Sequence, residues 1–429
     1  MKISPARVAA FDILTRISRD RAFSSILLHE LESNLPPGDR ALCHNLTLGV
    51  LRRQIYLDRF IDNLTGDKKL DPAVRIALQL GLYQLHFLDR VPDHSAVNES
   101  VNLVQKAKKT SAKGLVNAVL RRSLREALKP EGRDELDRIV LGTSHPRWLL
   151  EKWADRWGLD ETKLLAAANN EPPAAAFRKS MLSDKCLTFA DAIPSQFVNG
   201  CFISPVISPE IRAAANRGEI YFQDEGSQLV GSLIDLEPGE KFIDICAAPG
   251  SKLTQIASRS PKNTIIVGGD IHTARVRFLR ENCRRQGLDH ISIIQYDAER
   301  QLPFDAGVFD FVLVDAPCSG TGTIRHNPEL RYFIERGDFV ELSEKQRRLL
   351  KNASNLVKPG GTLIYSTCSM EMEENETVAD LFLSIESEFT AVRPDVPAGF
   401  ITRDGRIQTL PHRDGTDGFF VAIFRRAGP

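Results

Sequence analysis

The chain has 429 residues, of which 42% are hydrophobic and 26% charged, with 56 basic and 56 acidic side chains. That length calls for more than one domain, and the composition is that of a soluble globular protein with material for a sizeable core. Apolar runs are far too short to span a bilayer, and seven scattered cysteines without a C-x-x-C pair or a histidine cluster argue against a zinc site or a disulfide framework.

The opening MKISPARVAAFDIL has Pro5 and Arg7 ahead of a helical pattern and no leader-type layout, so secretion is not expected and a reducing cytoplasm is. Residues 1–128 read as all-helical. Ala6 to Leu14 begins an amphipathic helix, Leu42 to Leu64 continues the spacing, and Val74 to Leu88 repeats it. Val91 to His94 reads as a turn with Ser95 as a cap, and Val97 to Leu124 supplies more helix, broken near Ser111–Gly114. Charge is uneven along the chain. Residues 1–130 hold 21 basic against 13 acidic side chains, a net +8, which leaves 35 against 43, a net −8, for the remainder. Lys106, Lys108, Lys109, Lys113, Arg121, Arg122, Arg125 and Lys129 are balanced locally by Glu126 alone. A basic segment on helices suggests either a nucleic-acid face or a solvated helix surface.

Residues 129–170 read as a helical connector punctuated by Pro130, Gly132, Gly142, Ser144 and Pro146. Trp148, Trp153 and Trp157 lie at helical spacing there, and packing between domains is the expected role. Residues 171–217 mix Pro, Ala and short β-like runs such as Cys201-Phe202-Ile203, which suggests a small α/β insert. From Gly218 to residue 429 strands and helices alternate. The expected strands are Lys241–Cys246, Thr264–Asp270, Ile291–Asp297, Phe309–Asp315 and Thr362–Thr367, with late ones near Phe389–Arg393 and Phe419–Phe424. Helical patterns cover Leu253–Arg259, Thr273–Gln286, Phe339–Leu356 and Glu374–Ser387. The fold class is therefore multi-domain: an all-α front, then a Rossmann-like α/β domain with a mostly parallel sheet.

The stretch KFIDICAAPGSK, Lys241 to Lys252, is a strand, a turn of small residues and a helix start. Small residues let a ligand approach the backbone, and the helix start offers free N–H groups. Acidic residues recur at strand ends: Asp244, Asp270, Asp297 and Asp315. Strand carboxyl ends form the ligand crevice of an open α/β sheet, where Asp270 suits ribose hydroxyls and Asp297 an adenine edge. A dinucleotide site expects G-x-G-x-x-G, whereas this turn reads Ala247-Ala248-Pro249-Gly250-Ser251-Lys252. A cofactor without a pyrophosphate, such as S-adenosylmethionine, fits better.

Two further motifs follow strand ends: Asp315-Ala316-Pro317-Cys318-Ser319-Gly320-Thr321-Gly322 and Ser366-Thr367-Cys368-Ser369. Cysteine at such a crevice suits cytosine chemistry, because C5 of cytosine is a poor nucleophile. A thiolate added at C6 makes C5 enamine-like and able to attack a methyl sulfonium, after which a base removes the C5 proton and the thiol leaves. A free thiol has a pKa near 8.5, so roughly a few per cent is thiolate at pH 7, and the site must favour ionisation. Cys43, Cys246 and Cys283 read instead as small buried hydrophobes.

Together DICAAPGSK, DAPCSGTG, YSTCS and DGFFVA resemble the RNA 5-methylcytosine methyltransferase family, over essentially the whole chain. The segments LGLYQLHFLDRVPDHSAVNESVNLVQK and KGLVNAVLRR resemble the RNA-binding helical domain of the NusB family. That front end singles out the branch acting on 16S ribosomal RNA. The resemblance implies Cys368 as the nucleophile, Cys318 as an aid to product release, and Asp315 as the partner of the cytosine N3/N4 edge. It implies S-adenosyl-L-methionine held by Cys246, Ala247, Ala248, Pro249, Gly250, Ser251, Lys252, Asp270, Arg275, Asp297 and Asp315. The implied partner is 16S ribosomal RNA, unassembled or partly assembled, with a monomeric enzyme, no metal and no membrane. Two departures stand out. The family turn reads P-G-G-K where this chain has Ser251, and a serine forced to positive φ would cost about 1 kcal/mol. Phe177-Arg178-Lys179-Ser180 stands where the family has R-x-N. The same chemistry on transfer RNA, and a non-catalytic RNA-binding assembly factor, remain as alternatives. An amino-group methyltransferase would carry [DN]-P-P-[YFW] in place of Asp315-Ala316-Pro317-Cys318.

Overall fold

A computed structural model describes residues 3–32, 35–126, 131–183 and 187–428. Lys129 of the basic run lies outside them. The chain forms two compact units: Met1–Glu171 with Ile324–Phe333, and Pro172–Thr323 with Ile334–Pro429. No helix among the described residues is long and apolar enough to cross a membrane.

The first unit is helical. Its elements are α1 (Pro5–Asp20), α2 (Ser24–Glu32), α3 (Pro37–Arg52), α4 (Gln54–Thr65), α5 (Pro72–Phe87), α6 (Asp93–Lys106), α7 (Lys113–Arg125), α8 (Glu135–Thr143), α9 (Arg147–Trp157) and α10 (Leu159–Ala168). Starts follow local chemistry: Asp71 caps α5 through Ala73 N–H with Pro72 at the first helical position, and Asp134 caps α8 through Asp137 N–H. The apolar stripes meet in one core that includes Phe11, Leu46, Phe60, Leu78, Leu103 and Leu120. Three expectations need correction. The Leu42–Leu64 pattern is two helices, because Arg53 leaves the helical backbone between α3 and α4. Ser95 does not cap. Pro92 stands at that position, and the Ser95 hydroxyl lies inside α6 and donates to Glu99. Residues 135–168 are three helices of this unit, and Trp153 is buried within it against the His145 ring. The basic run is partly neutralised from elsewhere in the unit: Lys106 pairs with Asp12 and Lys109 with Asp71.

Ile324–Phe333 ends in a short helix, Leu330–Phe333, and belongs to this first unit. Its anchor is Arg331, fully buried, whose guanidinium donates to the Thr143 carbonyl (2.8 Å) and Asn170 Oδ1 (2.9 Å). Burial lowers this guanidinium's pKa to about 10. Glu329 accepts from the Ser24 N–H (2.7 Å) and hydroxyl (2.9 Å), and the Tyr332 hydroxyl donates to the Leu51 carbonyl (2.7 Å).

The second unit opens with a four-stranded antiparallel sheet: β1 (Ala175–Lys179), β2 (Ile193–Pro194), β3 (Cys201–Ser204) and β4 (Ile220–Phe222), in the order β2-β3-β1-β4. Helix α11 (Pro209–Asn216) joins β3 to β4. This small sheet therefore closes with β4, beyond the expected end of the insert at residue 217. The main sheet follows: β5 (Lys241–Asp244), β6 (Ile265–Asp270), β7 (Ser292–Gln295), β8 (Phe309–Asp315), β9 (Val357–Thr367), β10 (Phe389–Val392), β11 (Ile407–Gln408) and β12 (Phe420–Arg426). The order is β10-β12-β9-β8-β5-β6-β7, with β11 on β12. Strands β5 to β9 pair in parallel, and β12 runs antiparallel to β9, β10 and β11.

Side-chain alternation explains why the strands lie inside. On β8, Val312 and Val314 face one apolar cluster while Phe311 and Leu313 face the other. Helices α12 (Glu225–Ser232), α13 (Ser251–Ala257), α14 (Thr273–Arg285), α16 (Asp338–Ser354) and α17 (Glu376–Ile385) accompany this sheet; Leu330–Phe333 above is α15, and Pro411–Asp414 is α18. The parallel register brings the carboxyl ends of β5, β6, β8 and β9 side by side, with Asp315 opposite Ser366.

Candidate active site

The turn after β5 is shaped by backbone demands. Asp244 Oδ1 accepts the Cys246 N–H (3.1 Å), and Ala247 N–H donates to the Gly269 carbonyl (2.8 Å). The peptide Ala248–Pro249 is cis. Gly250 has φ +105°, and a Cβ there would also meet Leu279 Cδ1 at 2.6 Å, so glycine is needed at this place. Ser251 is the first residue of α13 and has no positive φ. The anticipated strain at Ser251 is thus absent, because the left-handed residue is its neighbour. From the insert, the Arg178 guanidinium donates to the Ser251 carbonyl (3.2 Å), Thr254 Oγ1 (2.7 Å) and Gln223 Oε1 (2.8 Å).

Around the turn, Arg275 donates to the Ala248 carbonyl (2.7 Å) and lies 3.4 Å from Asp270. Asn282 donates to the Pro249 carbonyl (2.9 Å). Asp270 is buried and accepts the His272 N–H. Asp297 sits further out, accepting the Glu299 N–H (3.0 Å) and pairing with Arg300 (3.2 Å). The Tyr296 hydroxyl is buried without a hydrogen-bond partner, and Asp244 and Asp270 are close enough to raise its pKa after burial itself. An orphaned hydroxyl, a buried strand-end carboxylate and a turn of small residues together suit a ribose and its base, so the residues present fit S-adenosylmethionine.

Asp244 is the most perturbed acid of the site. Burial first, and the charge of Asp315 second, push it up to about 8. Its folded pKa thus exceeds the unfolded value of about 3.9, and the folded state keeps a proton that the unfolded chain has lost. Stability should therefore fall as pH rises from about 4 to 8. Urea denaturation at both ends of that window should show the loss in the native chain and a much smaller one in Asp244→Asn, whose Oδ1 still accepts from Cys246.

Across the crevice, Asp315 ends β8 with each carboxylate oxygen engaged. Lys252 Nζ donates to Oδ2 (2.7 Å), and Ser366 Oγ donates to Oδ1 (2.7 Å). Burial alone would lower the Lys252 pKa, but the charge and hydrogen bond of Asp315 more than offset it and the pKa is raised. The ammonium also lies 4.9 Å from the centre of the Phe419 ring. The sulfur atoms of Cys318 and Cys368 are 3.3 Å apart. Cys318 is raised well above the usual thiol range by its hydrogen bond to Cys368, by burial and by the Cys368 and Glu374 charges. Burial pushes Cys246 and Cys283 up as well, to about 12 for Cys283.

The second arm of the site comes from the chain's end. Gly418 N–H donates to the Gly322 carbonyl (2.9 Å), and Gly322 N–H donates to the Cys368 carbonyl (2.9 Å). A Cβ on Gly322 would stand 2.0 Å from the Gly418 oxygen. Backbone cannot move aside as a flexible side chain can, so Gly322→Ala should cost about 1–3 kcal/mol or more in a denaturant titration. The structure thus brings together Cys318 with Cys368, Asp315 with Lys252, and Asp270 with Arg275, and leaves Asp297 at the margin. Sequence reasoning assigned Lys252 a backbone role and missed its side chain. It also missed Ser366, Arg178, Tyr296 and Glu374.

Strand order, turn and crevice acids define an S-adenosylmethionine-dependent methyltransferase. A family model described as 16S rRNA methyltransferase RsmB/F matches residues 232–425, and one described as NusB family matches residues 4–125. The chain is 32% identical to a Bacillus subtilis protein named probable ribosomal RNA small subunit methyltransferase B, over 100% of both chains. It is also 32% identical to ribosomal RNA small subunit methyltransferase B of Pseudomonas syringae pv. tomato, over 95% of this chain and 96% of that one. The crystal structure of a protein designated PH0851 superposes with a TM-score of 0.84 at 26% identity, covering 99% of this chain and 100% of that one. The chain belongs to the ribosomal RNA small subunit methyltransferase B family.

Proposed function

We propose that this enzyme methylates C5 of a cytosine in 16S ribosomal RNA, in the cytoplasm, through a covalent bond between Cys368 and C6. The observation that carries the reading is the pair of thiols 3.3 Å apart near the ion pair of buried Lys252 with half-buried Asp315. Bound S-adenosyl-L-methionine supplies an electrophilic methyl group; Cys246 to Lys252 would line it, with Asp270, Arg275 and Asp297 toward its ribose and adenine. The target base must leave its stack to reach the thiols.

The two thiols divide the work by their environments. With its proton held by the neighbouring sulfur and by burial, Cys318 can donate a hydrogen bond to Cys368. Cys368 then adds to C6. Asp315 uses its remaining lone pairs to accept from the cytosine N4 amino group, and from N3 once the adduct's ring is protonated there, since a carboxylate offers about four acceptor sites. Once Cys368 is bonded to carbon, the charge that held Cys318 protonated is gone. Cys318 can then ionise and remove the C5 proton, and the C6–sulfur bond breaks with its electron pair returning to Cys368. The helical unit's basic residues would hold RNA phosphates and set position, while the pocket chooses the base.

Bisulfite sequencing of 16S ribosomal RNA from cells with and without this gene tests the proposal. One cytosine should lose protection in the deletion. Loss of protection in transfer RNA instead would replace the substrate, and no change in any RNA would favour an assembly factor.

A further inference from the structure

Each of the two cysteines is followed by a serine, and both serines converge on one buried acid. Glu374 is fully buried. Its Oε2 accepts the hydroxyls of Ser319 (2.5 Å) and Ser369 (2.5 Å). Its Oε1 accepts the Ser319 N–H (2.8 Å) and the Gln346 side-chain amide (3.0 Å). That same Gln346 amide donates to the Pro317 carbonyl (3.0 Å), so both residues flanking Cys318 are held from one place. The Tyr365 hydroxyl fixes the Glu374 carbonyl (2.5 Å), and Asn375 fixes the Ser369 carbonyl (2.9 Å).

A carboxylate is expensive to bury, and four donors are needed to offset that cost. Here three of the donors lie on the two separate loops that carry the thiols, 50 residues apart in sequence, and the fourth, Gln346, on α16. We propose that Glu374 is a positioning residue of the active site, a two-armed clamp that sets the separation of Cys318 and Cys368 through Ser319 and Ser369. The proposal rests on the reading of those cysteines as the reacting thiols only for its consequence in turnover. The clamp itself is a matter of sulfur–sulfur geometry.

That geometry can be measured without RNA or methyl donor. Diamide, an azo compound, takes up two hydrogens as two thiols join in a disulfide. The full chain, Glu374→Gln and Glu374→Ala are treated with it, and the Cys318–Cys368 peptide pair is quantified over time by mass spectrometry. Glutamine keeps the shape, because its oxygen still accepts from Ser319 N–H and Gln346 while both serine hydroxyls can turn to accept. The native chain should cross-link readily and Glu374→Gln within about threefold of it, whereas Glu374→Ala should be slower by about tenfold or more as the loops part. Should Glu374→Ala fail to fold, the double variant Ser319→Ala with Ser369→Ala carries the same expectation. Native-rate cross-linking in the alanine variants, a glutamine variant as slow as alanine, or a native pair that diamide leaves unjoined would each overturn the clamp. In turnover, Glu374→Ala should lower kcat by about tenfold or more while donor Kd and KM for RNA stay within about twofold. A uniform change in both would mark a merely structural role and overturn it. A native enzyme that methylates no cytosine would defeat the proposed function and leave the cross-linking result standing.

Discussion

Cys368→Ala is expected to reduce methyl transfer by about 10⁴-fold or more, the scale seen when a covalent nucleophile is removed. Donor affinity should stay within about twofold, since the donor turn is built from Ala247 to Ser251 and the acids of neighbouring strands. Single-turnover transfer of labelled methyl into 16S ribosomal RNA, paired with calorimetry of donor binding, separates the two. The loss should not be recovered at high pH, because alanine leaves no group to ionise. Turnover within a few fold of the native enzyme would remove Cys368 from the mechanism.

Cys318→Ala should show the opposite defect. Addition to C6 needs Cys368 alone, whereas release needs a base at C5. The variant should therefore accumulate a protein–RNA adduct that survives denaturing electrophoresis, with product formation slowed by about 10²-fold or more. The adduct should be absent from the double variant with Cys368→Ala. Free product at the native rate, with no adduct, would take release away from Cys318.

Much of this architecture was legible in the sequence, for identifiable reasons. Strands such as β8 are apolar on both faces and bounded by Asp and Gly, so period and punctuation agree. Both cysteines were legible because Pro-Cys and Thr-Cys sit immediately after such strands. Lys252 and Glu374 were missed for one cause, because their roles depend on contacts distant in sequence. Lys252 looks like any helix-start lysine until Asp315, 63 residues later, folds against it. Glu374 lies in the acidic run MEMEENE, where neighbours such as Glu373 and Glu376 are indistinguishable from it by sequence pattern. The concern over Ser251 came from placing the left-handed residue one position too late. Only the backbone of Gly250 resolves that.

The stretch Ile324–Phe333 begins two residues after Gly322 and is built into the helical unit. The protein's working parts therefore do not coincide with uninterrupted stretches of the gene. A fragment spanning residues 232–425 would encode Arg331 without Thr143 or Asn170, leaving this stretch without the helices it is built to pack on. Ser24, which satisfies Glu329, would be lost with them. Chimaeras that exchange the helical half between relatives should carry these ten residues along with it, or the graft will inherit a plug cut for another socket.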